Sequence, residues 1–345
     1  MMIRLRTESL RQFQKRATQL TTNTLLPILT NLKLSYSGDI CTLTKNNIGA
    51  VIVGQVEATG DACNILINER IFFAIVSSSK QEFIEIQVES DRILIIDSDK
   101  TYLPIEDVNQ FVNPPEYSSE AECFKFQADH LKAIRIASNF TNDLPSAGFM
   151  QFVHTSGENI FAFHTNYFYI NGSFKGLPIA SLRSEEIKIL SEIDEIEFMD
   201  LPNHHVFFTP GYEYIFTKTE AAMPKLDAVF ASLNLPGKNF TCNTSDLVDF
   251  IQRANLVSDS EIAQCSMTPA GMFLQLKIDD ANYSRSNERL ISSTGEPDEW
   301  TFNSRVLLNP MRAIPYEILN AKTNRNYLII QAGQEWYSFA GMSKS

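Results

Sequence analysis

Hydrophobic and polar positions follow a pattern along this chain that repeats three times. Leu10, Phe13, Ala17 and Leu20 recur at helical spacing behind Thr7, a residue type suited to capping a helix. Ala128, Leu131, Ala133, Ile134 and Ala137 do the same, as do Leu247, Val248, Ile251 and Ala254 behind Ser245. Strand-like alternation follows each helix, at residues 32–36, 149–153 and 272–278. A second helical segment comes next, at 67–77, 181–193 and 303–314, with Pro310 and Pro315 expected to shorten or break the last. Further strands close each third: 83–88 with 92–96, 195–198 with 206–209, and 327–331 with 336–339.

Turn-rich stretches at 112–119 and 233–239 separate the repeats, so the pattern predicts three domains, 1–118, 119–236 and 237–345. Strands outnumber helices without strict alternation. That favours an α+β class with antiparallel sheets over a doubly wound fold.

Composition narrows the function. The 345 residues are 44% hydrophobic and 20% charged, enough for packed cores throughout. No stretch reaches the roughly 18 apolar residues of a membrane span, and the N-terminal residues are polar and basic, so no membrane partner and a cytoplasmic location are expected. Five scattered cysteines without a CxxC pair speak against a disulfide framework or a thiolate metal site. Phosphate-cradling, dinucleotide, zinc-protease and nucleophile-elbow motifs are missing. His204 and His205 are neighbours that would point apart in a strand, and Glu185 and Glu186 read as surface. No catalysis, metal or cofactor is expected. The formal net charge of −12 argues against nucleic acid unless the cations are gathered in one place.

Several strings carry a family resemblance. Residues 24–34 (TLLPILTNLKL), 218–230 with Met223-Pro224, 253–261 (RANLVSDSE) and 301–308 (TFNSRVLL) resemble, in order and spacing, segments of the bacterial DNA polymerase III beta subunit, the sliding clamp. The resemblance implies three similar DNA-clamp domains, each with two inner helices and outer antiparallel sheets. It implies a head-to-tail homodimeric ring around double-stranded DNA, held without reading sequence.

On that reading the DNA-facing cations are Arg11, Lys15, Arg16, Arg70, Lys132, Arg135, Arg183, Lys188, Arg253, Arg305 and Arg312, all within predicted helices. Acidic residues such as Glu85, Glu89, Asp97, Asp99, Glu106 and Asp107 fall in strands and loops, hence outside. The dimer interface maps to Tyr102 and Leu103 against Leu256 and Val257. A clamp loader would open the ring, and DNA polymerase and repair enzymes would dock short apolar peptides at Thr165, Asn166, Tyr167, Phe168, Pro224 and Met342. Here the chain departs from the family: Thr165-Asn-Tyr-Phe-Tyr169 stands where a Thr-Asp-Gly-His-Arg run is usual, and the C-terminal tail differs. Two other readings stay open, a clamp-fold paralogue acting as a protein-interaction scaffold and a hydrolase with a site assembled from distant residues.

Overall fold

The computed structural model describes residues 1–20, 26–90, 92–117, 122–142, 144–190, 193, 195–219, 221–234, 236–257, 264–270, 273–279, 288–295, 297–324 and 326–341. Its helices are α1 (Thr7–Ala17), α2 (Glu69–Ser78), α3 (Ala128–Ser138), α4 (Ser184–Leu190), α5 (Leu226–Leu233), α6 (Thr244–Val257) and α7 (Ser304–Arg312). One order recurs in every third: a strand, a helix, a run of four strands, a second helix and three strands. In the first third a short extra strand, Ala58–Gly60, continues Ala50–Val56. The fold is α+β with antiparallel pairing throughout the described sheets, as the hydrophobic pattern predicts.

The chain forms two compact units. The first holds residues 1–128 and 188–219, the second 129–187 and 220–345, so the middle third contributes to both. A five-stranded and an eight-stranded sheet belong to the first unit and a twelve-stranded sheet to the second. The same kind of junction builds both large sheets. Tyr212–Thr217, the last strand of the middle third, pairs with Ala50–Val56, the fourth strand of the first. Glu335–Ala340, the last strand of the last third, pairs with Tyr167–Asn171, the fourth strand of the middle one.

Local chemistry explains the elements. The buried stripe of α1 is Leu10, Phe13 and Ala17, and it lies so close to the sheet that a Cβ on Gly54 would meet Phe13 Cδ2 at 2.5 Å. Gly60 and Gly295 hold corresponding places in the first and last thirds, both at positive φ (130° and 88°). A Cβ there would stand 2.3 Å from Met2 O and 2.4 Å from Asn239 O, so only glycine fits either. In the second unit Phe140 packs against Tyr167, Tyr169, Tyr337 and Phe339, with centroids 5.6–6.0 Å apart. Truncating such a ring to alanine costs about 3–5 kcal/mol.

Several expectations are corrected. Thr7 does not cap α1 but is its first residue, buried, with its amide donated to Glu82 O. Residues 145–151 form a 3-10 segment kinked at Gly148, which leaves the strand to begin at Phe152. The second helix of the middle third shortens to Ser184–Leu190 because 181–183 pair as strand. Pro310 lies inside α7, which runs two residues past it. Residues 226–233 form a helix, α5, that was not expected.

Candidate nucleic-acid interface and peptide cleft

Eight of the eleven candidate cations are exposed: Arg11, Lys15, Arg70, Lys132, Lys188, Arg253, Arg305 and Arg312. In α1 the stripe of Leu10, Phe13 and Ala17 faces the sheet, which leaves Arg11 and Lys15, one turn apart, on the opposite side. Asn303 caps α7 by accepting from Arg305 N at 3.0 Å, and the helix carries Arg305 and Arg312 without a carboxylate. α6 is mixed: exposed Asp249 shares it with Arg253, while Asp246 is paired to Arg289 at 2.9 Å. The acidic residues assigned outward do lie in strands and turns, and Glu85 pairs with Arg4 at 3.1 Å.

The other three cations are half-buried, and two have structural work. Arg16 donates to Tyr214 Oη at 2.9 Å and stands 4.5 Å over the Tyr212 ring, pinning α1 to the sheet. Arg183 lies beside Glu186, whose carboxylate accepts from Arg183 N at 2.6 Å. Arg135 lies in α3 between the buried Ile134 and Ile136.

The expected cleft residues divide by strand alternation. Tyr167 is buried against Phe140 and Phe339 and stacks on His164 at 4.2 Å, so it serves the core. Phe168, on the other face, joins a half-exposed apolar cluster. Phe161, Phe163 and Ile170 form its floor; Phe149, Met150, Met223, Leu226, Val229, Phe230 and Trp336 surround them. Thr165 and Asn166 are exposed in the adjoining turn, and Asn166 O accepts from Ala340 N at 2.7 Å. Pro224 is half-exposed just before α5, and Met342 lies outside the described residues. Beneath the cluster, His154 is wholly buried between Ser181 Oγ and Phe149 O, both at 2.9 Å, and burial lowers its pKa below the ordinary imidazole value. The α5 side chains went unseen in the sequence, although Leu226, Val229, Phe230 and Leu233 have helical spacing that could have revealed them.

At the expected dimer contact, Tyr102 is 54% and Leu256 79% exposed. Leu103 points instead into the core, as its neighbour's exposure requires in a strand. Val257 ends α6, and its side chain lies outside the described residues. His204 and His205 also part: His205 is buried, 3.5 Å from Asp200, whereas His204 is half-exposed. Glu185 is exposed and Glu186 buried. Among the described residues no group of three His, Cys, Asp or Glu is placed to hold a metal, and no helix is long and apolar enough to cross a membrane.

Residues 1–114 match the family described as DNA polymerase III beta subunit, N-terminal domain. Over its full length the chain is similar to the DNA polymerase sliding clamp of Bacillus subtilis, at 13% identity, 100% of both chains and a TM-score of 0.90. The beta subunit from DNA polymerase of Streptococcus pyogenes gives 16%, 100% of both chains and 0.86. The sliding clamp of Pseudomonas aeruginosa bound to griselimycin gives 17%, 99% of this chain and 100% of that one, and 0.86. No curated protein sequence matches. The chain thus has the fold of these sliding clamps from end to end, with a match to the family's N-terminal domain over its first third and a sequence far diverged from the solved clamps.

Proposed function

We propose that this chain is a DNA sliding-clamp subunit with clamp domains at 1–118, 119–236 and 237–345. Two copies close head to tail around duplex DNA in the cytoplasm, a separate clamp loader opens the ring, and polymerase and repair enzymes dock short apolar peptides on the Phe168 cluster. The observation that carries this reading is the full-length clamp fold bearing exposed cations on both repeated helices of every third. A sliding ring must not read bases, because each specific contact would become a trap of about 1–3 kcal/mol. Long, exposed Lys and Arg side chains supply diffuse attraction to phosphate instead. Cations on a few helices also reconcile DNA binding with a net charge of −12.

The repeat supports closure. Twice, the last strand of one third completes the sheet of the third before it. Among the described residues, the last strand of the first third, Lys100–Pro104, has a neighbour on one side only, and residues 288–292 of the last third's fourth strand also have an open side. Joining those two edges between copies repeats the same junction, next to exposed Tyr102.

Retention on nicked circular DNA after loading, lost when the circle is linearised, is the expected result. Replacing Arg11, Lys15, Lys132 and Arg305 by Glu abolishes it while leaving the dimer intact. Unchanged retention would refute the assigned face. The acidic companions Glu185 and Asp249 on cation-bearing helices favour, as second reading, a scaffold that kept the fold without encircling DNA. In that case wild-type protein shows no difference between circle and line.

A further inference from the structure

Beyond the Phe168 turn, one face of the twelve-stranded sheet carries a trough that shares only Phe230 and Trp336 with the cluster proposed for tethering. Two cavities, of about 640 and 570 Å³, lie on either side of Trp336 and share it as a wall. α5 forms the flank: Phe230 meets the Trp336 ring edge-on at 6.1 Å, and Leu233 O accepts from Lys322 Nζ at 2.8 Å. The trough runs across the strands, from Gly172 through Trp336, Gln331 and Asn320 to Asn239. Four strand spacings separate its ends, about 19 Å, the span of about six extended residues.

Part of its polar lining is unspent. The side-chain amides of Asn239 and Asn320 have no hydrogen-bond partner among the described residues. Asn234 and Gln331 use only their NH2 groups, on Phe230 O at 3.2 Å and Gly333 O at 3.3 Å, so their carbonyl oxygens can still accept. A carboxamide carries a donor and an acceptor, the pair that a peptide backbone needs opposite it. Charge is equally specific. Among the described residues no carboxylate lines the larger cavity, whereas Lys322 does, and Lys175 stands in the smaller one opposite a single glutamate, Glu158. Glu335, beside Trp336, faces the other side of the sheet, where Tyr316 (2.8 Å), Tyr337 (2.7 Å) and Asn171 (2.7 Å) hold its carboxylate.

We propose that this trough is a second peptide-binding groove, for an extended acidic segment of about six residues that seats an apolar side chain on Trp336. It is independent of ring closure, but it borders the Phe168 cluster, with which it shares Phe230 and Trp336. A glycan could also stack on Trp336 and use carboxamides, but it would gain nothing from lysines at both ends.

Of the two tryptophans, Trp300 is wholly buried and Trp336 half-exposed, so a Trp300→Phe protein reports the groove by fluorescence. The probe is acetyl-Asp-Glu-Leu-Leu-Asp-Glu-amide, compared with its lysine counterpart and with maltohexaose. Expected is a saturable change in Trp336 emission with the acidic peptide only. Asn239→Ala with Asn320→Ala, both at exposed positions, should weaken it about tenfold, as two lost neutral hydrogen bonds would. No change at millimolar peptide, equal binding of the lysine peptide, a response to maltohexaose instead, or undiminished binding in the double variant would each overturn the proposal. None of these outcomes touches retention on circular DNA, which tests the clamp reading separately.

Discussion

The Lys45 ammonium is 1% exposed and donates to Ala17 O at 2.9 Å, Leu20 O at 2.8 Å and the Glu69 carboxylate at 2.6 Å. One side chain thereby joins the last carbonyl of α1 and the turn that follows it to the first turn of α2. Replacing Lys45 by Met leaves Glu69 charged and buried without its partner. The loss should be about 3–5 kcal/mol, read as a shift in the urea midpoint, and Glu69→Gln added to it should recover part. Arg16 teaches a related lesson. In sequence it looks like Arg11 and Lys15, yet its partner Tyr214 lies 198 residues away, so no local pattern could reveal that it holds the sheet. Histidines give the pH dependence. Burial lowers the pKa of His130, His154 and His164 in the second unit and of His204 in the first. The unfolded chain therefore binds protons first as pH falls through the ordinary histidine value of about 6.5, and stability is lost below it. Thermal midpoints should fall from pH 7 to 5.5, less steeply in His154→Gln.

At the scale of elements, strands were legible almost to the residue where both faces of the pattern were clear, as in Phe83–Val88 and Arg92–Ile96. Errors arose where backbone geometry overrode periodicity. Gly148 adopts φ 57°, which breaks the alternation read at 149–153. α5 was hidden because its residues follow Met223-Pro224 and run into a turn-rich stretch that reads as a linker. The repeated helix starts were better signposted. Asn68 accepts from Ile71 N at 3.2 Å and Asn303 from Arg305 N at 3.0 Å, and the same interval that separates these two caps separates Gly60 from Gly295. Asn303→Ala should cost about 1 kcal/mol in denaturant unfolding and Asn303→Ser close to nothing.

For the whole molecule, the threefold order of elements could be read from the chain, but how the middle third shares its strands could not. Alternating residues tell which face of a strand is apolar and nothing about its partner. The candidate cations were chosen by type and helical position, and their sorting into exposed and half-buried members needed the fold. The proposed ring makes a prediction at this scale. Leu256→Lys with Tyr102→Glu places unlike groups on the two proposed contact surfaces, so each should be tested alone. Either one should yield monomers by light scattering, and persistent dimers would move the contact elsewhere.

The junction between Ala50–Val56 and Tyr212–Thr217 has a practical corollary. A chain cut after residue 118 would keep its first helix and its hairpins but bare the backbone of a long, largely buried strand. Unpaired edges of that kind invite other chains to add to them. Isolated thirds of this protein should therefore tend to associate or precipitate where the intact chain does not, because the seams of the sheets do not follow the seams of the repeat.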